Sequence, residues 1–251
     1  MQMTGNTILI TGGASGIGLA LAAALLVLGN KVIIAGRRQA ALNAAKAAYP
    51  GLVGYVLDVE DAGAIPGFVA ELLKSHPDLN VLVNNAGIMR AENLTDTMAE
   101  LPDAEAMIST NLLGPIRLSS ALLPHLTAQQ QATIINVTSG LAFVPLAMTP
   151  TYSATKAGLH SYTQSLRHQL RETSVEVLEL APPMVQTDLM PGQAVNPMGM
   201  PLADYTAEVM SLLAQNPTSA EICVERVQML RGAERDGRFD QVFAMINGMA
   251  H

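Results

Sequence analysis

The chain has 251 residues, of which 49% are hydrophobic and 14% are charged, a balance that suits a large buried core and excludes a mainly disordered chain. Its formal net charge of −7 argues against a nucleic-acid partner, because phosphate binding requires a basic surface. The single cysteine, Cys223, excludes an internal disulfide, and we expect a cytoplasmic protein without a membrane partner because no stretch reads as a signal peptide or a membrane span.

Short β-branched segments alternate with helical stretches along the chain, and most of these segments are continuously apolar. Strands of this kind are buried on both faces, as in a parallel sheet covered by helices. The connections are long enough to hold a crossover helix each time. We therefore predict an α/β fold, a doubly wound, Rossmann-like parallel sheet of six or seven strands with helices on both faces, in a single domain over residues 1–251. The predicted strands cover residues 7–11, 31–35, 54–58, 80–84, 132–137 and 175–180.

Two of the helical stretches flank candidate site residues. Residues 15–28 form a predicted helix that Gly29 closes. Residues 103–126 form a second, long helix that contains Pro115. Because proline removes a backbone hydrogen bond, we expect this helix to bend just after Asn111.

One region of the chain is rich in residues that disfavour regular structure. Residues 182–201 carry five prolines, two glycines and four methionines. Methionine side chains adapt their shape to a partner. We expect a substrate flap at about residues 188–215, which would place Met184 and Met190 near the substrate, and a plain surface loop is the alternative.

The first predicted strand leads directly into TGGASGIG, residues 11–18, which opens a helix. Glycines allow a tight turn and a close approach of backbone to ligand, and a helix N-terminus attracts phosphate. The spacing differs from the common G-x-G-x-x-G fingerprint, and a turn that serves packing alone is the alternative. The residues expected to hold a dinucleotide here are Gly12, Ser15, Gly16, Ile17 and Gly18.

A tyrosine and a lysine stand four positions apart in TYSATKAGLH, residues 151–160. Residues at this spacing share one face of any helix, so the pair alone does not indicate catalysis. An ammonium close to a tyrosine hydroxyl lowers the pKa of that hydroxyl, which would let Tyr152 exchange a proton near neutral pH. The meaning of Tyr152 and Lys156 therefore depends on the other motifs of the chain.

Four motifs occur in a characteristic order: TGGASGIG, NNAG (84–87), NVTSG (136–140) and YSATK (152–156). In this order and spacing, over roughly residues 5–190, the chain resembles the one-domain branch of the short-chain dehydrogenase/reductase family. PPMVQTDL (182–189) stands where that branch usually has Pro-Gly-x-x-x-Thr, with Pro183 in place of the glycine.

The resemblance implies a role for each residue that matches a family motif. Tyr152 would be the catalytic acid/base, Ser139 would hold the substrate oxygen, and Lys156 would bind the nicotinamide ribose and lower the pKa of Tyr152. Asn111 would hold a water next to Lys156 and complete a proton relay. The family's remaining cofactor contacts would fall on Asp58, Val59, Asn85, Ala86, Gly87, Pro182, Val185 and Thr187.

The charge pattern before residue 58 bears on which nicotinamide cofactor binds. Residues 1–57 contain no acidic residue, whereas NAD enzymes place a carboxylate on the ribose about 20 residues after the glycine loop. Gly36 stands where the family's NAD enzymes usually carry aspartate, and Arg37 and Arg38 follow it. Arginine grips phosphate bidentately, so we predict NADP(H), although two solvated arginines opening a helix are the alternative.

The combined motifs predict an NADPH-dependent carbonyl reductase, reversible as an alcohol dehydrogenase. The apolar stretch at residues 141–148 suggests a wall for a hydrophobic ketone or secondary alcohol. A non-catalytic NADP-binding regulator, or an enzyme for a cell-wall precursor or amine-type substrate, are the alternatives. We predict no metal, because His160 and His168 lack a carboxylate or cysteine at ligand spacing.

The C-terminal stretch departs from the family pattern, in which a seventh strand and a glycine-rich tail build a tetramer interface. Residues 223–251 read as helices instead, with Cys223 as a small core residue on one of them. We expect a homodimer or a homotetramer. A dimer formed through the helices at residues 103–127 and 152–171 would not need the tail.

Overall fold

Seven parallel strands form one sheet in the computed structural model, which describes residues 1–95, 101–215 and 219–248. Their order is β3-β2-β1-β4-β5-β6-β7, so the chain reverses direction across the sheet between β1 and β4. This confirms the predicted doubly wound fold, whose ligand crevice lies where the order reverses. The strands are β1 (Thr7–Thr11), β2 (Lys31–Gly36), β3 (Val53–Val56), β4 (Leu79–Asn84), β5 (Ala132–Val137), β6 (Val175–Leu180) and β7 (Glu221–Ile222).

Helices cover both faces of the sheet, which explains the continuously apolar strands. In β1, Ile8 and Ile10 pack into a core on one face, while Leu9 between them packs into the core on the other. The predicted domain over residues 1–251 includes 96–100, 216–218 and 249–251, which lie outside the described residues. The helices are α1 (Gly16–Val27), α2 (Gln39–Ala48), α3 (Ala64–Ser75), α4 (Pro102–Ile108), α5 (Gly114–Ala128), α6 (Pro150–Gln169), α7 (Leu202–Gln215), α8 (Gln228–Arg231) and α9 (Phe239–Gly248).

The long helix predicted at residues 103–126 is interrupted by a π-helical turn, Ser109–Leu113, between α4 and α5. Pro115 therefore lies in the first turn of α5 and not inside one bent helix, as the sequence analysis had it. In a continuous α-helix the carbonyl of Asn111 would accept from the N–H of residue 115, which proline lacks. Proline thus removes the α-helical donor for the carbonyl of the residue expected to take part in the proton relay.

The C-terminal part contains a seventh strand that residue patterns did not indicate. β7 is two residues long, too short to show an apolar period, and Cys223 follows it directly instead of lying on a helix. Beyond it the described chain is helical, as predicted. These helices pack tightly on the segment after β5, where a Cβ at Gly140 would lie 2.6 Å from Cδ1 of Leu230 and 2.8 Å from Cγ2 of Val227.

The segment predicted as a flap at residues 188–215 divides into two parts. Residues 202–215 form α7, whose Tyr205 and Val209 are fully buried in the core. Opening this part would expose a large apolar side chain, so burial opposes the movement of α7 that a flap over the whole of residues 188–215 would need. Residues 188–201 form a loop with a single short 3₁₀ turn. In the parts of the chain that the structure describes, no helix combines the length and the apolarity that crossing a membrane requires.

Candidate active site

A cleft of about 630 Å³ lies at the carboxyl ends of the strands, between the glycine loop and α6. It brings together side chains from all four sequence motifs and from the segment after β6. Gly18 and Asn111, two further predicted site residues, do not line it. The predicted residues that do are Gly12, Ser15, Gly16, Ile17, Arg37, Arg38, Asp58, Val59, Asn85, Ala86, Gly87, Ser139, Tyr152, Lys156, Pro182, Val185 and Thr187.

The glycine loop lines one side of the cleft. Gly12 and Gly16 have φ values of +64° and +53°, a left-handed conformation that residues with a side chain rarely adopt. Ser15 is exposed at the start of α1, and its side chain makes no capping hydrogen bond. Gly18 has a packing role instead, because a Cβ there would lie 2.4 Å from Nδ2 of Asn85. The loop thus opens the N-terminus of α1 to the cleft, where an anion would be favoured.

Thr11 fixes the turn at residues 85–87, and residue patterns gave it no role. Its Oγ1 accepts hydrogen bonds from the backbone N–H groups of Asn85 and Ala86, each at 3.0 Å. In return, Nδ2 of Asn85 donates to the carbonyl of Thr11 over 2.9 Å. These bonds join the ends of β1 and β4, the two strands at which the sheet order reverses.

Tyr152 and Lys156 lie side by side on α6, both almost fully buried. Burial raises the pKa of Tyr152 to about 12, while the neighbouring Ser139 hydroxyl acts to lower it. This is opposite to the lowering expected from Lys156, because the effect of burial dominates. Burial also lowers the pKa of Lys156 to about 8. The Nζ atom of Lys156 donates to the carbonyl of Val137 over 2.8 Å, which holds the ammonium against the end of β5. A proton donor and a weakly solvated cation therefore share one site.

Asn111 is fully buried in the π-helical turn behind these residues. Its Oδ1 accepts from the N–H of Ile88 at 2.9 Å, and its Nδ2 donates to the carbonyl of Ile88 at 2.8 Å. The side chain is therefore occupied, and the carbonyl without an α-helical donor is the group of Asn111 better suited to a water. A Cβ at Gly87 would lie 3.3 Å from Oδ1 of Asn111 and 3.7 Å from Nζ of Lys156, so glycine keeps space between them.

The two predicted phosphate-binding arginines lie at the opposite end of the cleft, after β2. Nη1 of Arg37 is 3.7 Å from Oε1 of Glu60 and 3.9 Å from Oδ2 of Asp58, and the side chain is half exposed. Exposed ion pairs of this length are weak, which leaves the guanidinium able to exchange partners. A Cβ at Gly36 would meet no other described atom within 4 Å. This end of the cleft is open and carries two arginines, one of them weakly paired with two carboxylates.

The substrate side of the cleft is apolar and surrounds Tyr152. Leu141 and Leu146, from the segment predicted as an apolar wall, pack here together with Met190, while Met184 is exposed. The other members of this cluster are Met89, Met107, Ile88 and Leu189.

Two polar residues that sequence reasoning missed hold this region in place. The carboxylate of Glu92 accepts from the N–H of Thr151 at 2.9 Å and from its hydroxyl at 2.8 Å, which fixes the start of α6 next to Tyr152. Nε2 of Gln193 donates to the carbonyl of Val185 over 2.8 Å. Neither contact has a sequence signal: Glu92 and Thr151 are 59 residues apart, and Gln193 reaches Val185 within an irregular loop that follows no period.

A buried polar cluster behind the cleft was also missed. Glu179, fully buried on β6, accepts from the Thr138 hydroxyl at 2.6 Å and lies 2.7 Å from Nδ1 of His160. One ligand atom each of His160, Glu179 and Glu221 lie within 4.8 Å of one another. Glu221 is paired with Arg231, whose Nε lies 2.6 Å from its carboxylate. We interpret this hydrogen-bonded, charge-paired group as a tie between α6 and the end of the sheet.

The chain is similar to known proteins in sequence and in structure. A family model described as short chain dehydrogenase matches residues 6–196. Uncharacterized oxidoreductase DltE from Bacillus subtilis is 45% identical over 251 residues, 98% of each chain. NADP-dependent 3-hydroxy acid dehydrogenase from Schizosaccharomyces pombe is 33% identical over 195 residues, 74% of each chain. The crystal structure of a short-chain dehydrogenase from Streptomyces avermitilis superposes with a TM-score of 0.81 at 26% identity, covering 96% of both chains.

Proposed function

Since the chain belongs to the short-chain dehydrogenase family and is thus an oxidoreductase, we propose that it is an NADP(H)-dependent carbonyl reductase that also runs as an alcohol dehydrogenase. The observation that carries the proposal is the buried pair of Tyr152 and Lys156 beside Ser139, at the closed end of the cleft. Proton transfer by a positioned side chain is what reduction of a carbonyl requires of the protein.

In this proposal the protein handles the proton. When bound, the nicotinamide cofactor supplies the hydride for reduction or accepts it for oxidation. The Tyr152 hydroxyl gives its proton to the substrate oxygen as the carbonyl is reduced, and the Ser139 hydroxyl holds that oxygen. The Lys156 ammonium stabilises the tyrosinate that remains, and a water on the Asn111 carbonyl returns the proton. In the alcohol direction each transfer runs backwards, with Tyr152 as the base.

The preference for NADP(H) rests on the two arginines at the open end of the cleft, since the ion pairs of Arg37 are long and exposed enough for a phosphate to replace them. Arg37 and Arg38 line this end, and Gly36 leaves space where a carboxylate would repel a 2′-phosphate. The name of the yeast relative, NADP-dependent 3-hydroxy acid dehydrogenase, supports the same choice. The residues that would hold the rest of the dinucleotide are those of the glycine loop, the turn at 85–87 and Pro182, Val185 and Thr187.

A hydrophobic ketone or secondary alcohol fits the substrate side best. The pocket around Tyr152 is walled by leucine and methionine side chains, which favour apolar groups. The loop at residues 188–201 contributes Leu189 and Met190 to this wall and is pinned at its base, where Gln186 and Met200 share a hydrogen bond of 2.8 Å. We propose that the part of this loop beyond its base closes over the substrate.

The test is oxidation of NADPH by the purified protein with a panel of aromatic and aliphatic ketones. We expect an absorbance decrease at the NADPH wavelength that depends on both the ketone and the enzyme, and that the Tyr152→Phe protein does not give. NADPH binding without turnover of any ketone would contradict the proposal and favour a non-catalytic NADP-binding protein. Turnover limited to amine-type or cell-wall precursor substrates would keep the enzyme class and change the substrate.

We also propose a homodimer formed through α4, α5 and α6. Leu101 and Ile108, which flank the start and the end of α4, are 64% and 40% exposed, and such a dimer would cover them. Light scattering of the purified protein distinguishes a dimer from a monomer or a tetramer.

A further inference from the structure

The segment at residues 140–148, which follows Ser139, is held between two helices. Leu141 and Leu146 pack toward Tyr152 on the substrate side. Val144 points the other way and is fully buried against α9. The segment, here called the wall loop, therefore has α9 as its backing.

Asn247 of α9 binds the backbone of the wall loop on both sides of Leu146. Its Oδ1 accepts from the N–H of Ala147 at 2.6 Å, and its Nδ2 donates to the carbonyl of Pro145 at 3.2 Å. The same Nδ2 donates to the carbonyl of Phe243 at 2.8 Å, which fixes the side-chain amide on its own helix. One side chain thus satisfies a donor and an acceptor of a loop about 100 residues away in sequence.

Leu146 is tied to α6 as well. The hydroxyl of Ser153, next to Tyr152, accepts from the N–H of Leu146 at 3.2 Å, and the carbonyl of Leu146 accepts from the N–H of Thr149 at 3.0 Å. The position of Leu146 relative to Tyr152 is therefore fixed by hydrogen bonds to α6 and to α9. Moving α9 would move the apolar wall relative to the acid/base.

We propose that Asn247 is a positioning residue that holds the wall loop and thereby sets the size of substrate that can reach Tyr152. The substrate part of this inference rests on the proposed carbonyl reductase activity. α9 lies beyond the residues that the family model matches, 6–196. This chain therefore builds part of its substrate selection from a segment outside the matched family core.

The experiment compares Asn247→Ala and Asn247→Asp with the control Gln241→Ala, an exposed residue of the same helix. Alanine removes both hydrogen bonds to the wall loop. Aspartate can still accept from Ala147 but cannot donate to Pro145, so it should rescue part of the effect. For Asn247→Ala we expect the ratio of kcat/KM between a small and a bulky ketone to change by about fivefold, the scale of one lost hydrogen bond. This change should appear mainly in KM, with NADPH binding unaltered.

Amide hydrogen exchange of the wall loop separates this inference from the proposed function, because it needs no substrate. We expect faster exchange at residues 144–148 in Asn247→Ala than in wild type, and no difference in Gln241→Ala. Unchanged exchange at these residues would show that Asn247 does not hold the wall loop, whether or not any ketone is reduced. Faster exchange with an unaltered ketone ratio would overturn the claim on substrate size. If the wild type reduces no ketone but exchange is faster in Asn247→Ala, the role of Asn247 in holding the wall loop would stand and the proposed activity would be refuted.

Discussion

The Nζ atom of Lys156 lies 5.7 Å from the centroid of the Tyr152 ring, and both side chains are buried. Burial disfavours the charged form of each group, which is why the pKa of the tyrosine is raised and that of the lysine is lowered. In such a poorly solvated site an ammonium stabilises a developing tyrosinate more strongly than it would in water. The pair is therefore suited to moving a proton. Burying the ammonium also lowers the stability of the fold.

Replacing Tyr152 by phenylalanine removes one hydroxyl and leaves the shape of the pocket. We expect turnover of a ketone by the variant to fall by roughly 100- to 10,000-fold, the usual contribution of a general acid. NADPH binding, followed by fluorescence titration, should stay close to that of the wild type. Turnover comparable to wild type, with NADPH bound, would contradict the proposed proton donor.

Replacing Lys156 by methionine should stabilise the fold while abolishing turnover. A pKa lowered from 10.5 to about 8 corresponds to roughly 3 kcal/mol of cost for the buried ammonium. The lost hydrogen bond to Val137 offsets about 1 kcal/mol of this gain. The free energy of unfolding at pH 7 should thus rise by about 2 kcal/mol, measured by urea denaturation without cofactor.

The advantage of this variant should depend on pH in a defined direction. Below pH 8 the lysine is protonated in both the folded and the unfolded wild-type chain, so the full cost is present. Between pH 8 and 10.5 the folded chain loses the proton first, the unfolded chain binds more protons, and wild-type stability rises with pH. The gap between variant and wild type should therefore shrink from pH 7 to pH 9.5. A constant gap would mean that Lys156 is not a desolvated ammonium.

Replacing Arg37 by alanine should weaken NADPH binding far more than NADH binding. A lost charge-assisted contact costs about 2 kcal/mol, or roughly 30-fold in the dissociation constant. Lys46→Ala is the matched control, because it removes the same charge from an exposed position of α2 that does not line the cleft. A wild-type preference for NADH, or an equal loss in the control, would contradict direct phosphate binding by Arg37.

The loop at residues 188–199 should become more protected from hydrogen exchange when NADP(H) and substrate are both bound. Val195 and Met198 in this loop are 83% and 57% exposed, so the tip has few contacts to hold it without a ligand. α7 is the internal control, because its buried face should exchange equally slowly in both states. Equal protection of the loop with and without ligands would mean that it is a static part of the wall.

Most strands could be predicted closely because they are apolar on both faces, whereas the partly exposed β3 runs from Val53 to Val56 and not over the predicted 54–58. β1, β5 and β6 begin and end at the predicted residues. β7 was not predicted because two residues are too few to show an apolar pattern. Its pairing with β6 also depends on where α7, which precedes it, returns the chain to the sheet. The π-helical turn at Ser109–Leu113 had only Pro115 as a local signal, which indicates a break without giving its form.

The cleft residues that the motifs indicated come together, whereas their supporting contacts had no sequence signal. Glu92 and Glu179 each stabilise α6 from a segment remote in sequence. His160 was judged to lack a carboxylate on the basis of spacing along the chain, although the fold brings Glu179 to it. The Glu179 contact depends on the register of β6 against β5 and the Glu92 contact on the path of the chain after β4, neither of which a single sequence specifies.

The close contact of Gly140 with Leu230 and Val227 has a consequence for recombining this protein with its relatives. A residue with a side chain at position 140 would collide with the C-terminal segment, and a larger residue at position 230 would push the wall loop. A chimera that exchanges only the residues after 196 would therefore combine the wall loop of one protein with the C-terminal segment of another, and the two surfaces would no longer match. Exchanging residues 140–148 together with the C-terminal segment would transfer the fit intact, so in sequence divergence these two stretches should change as a unit.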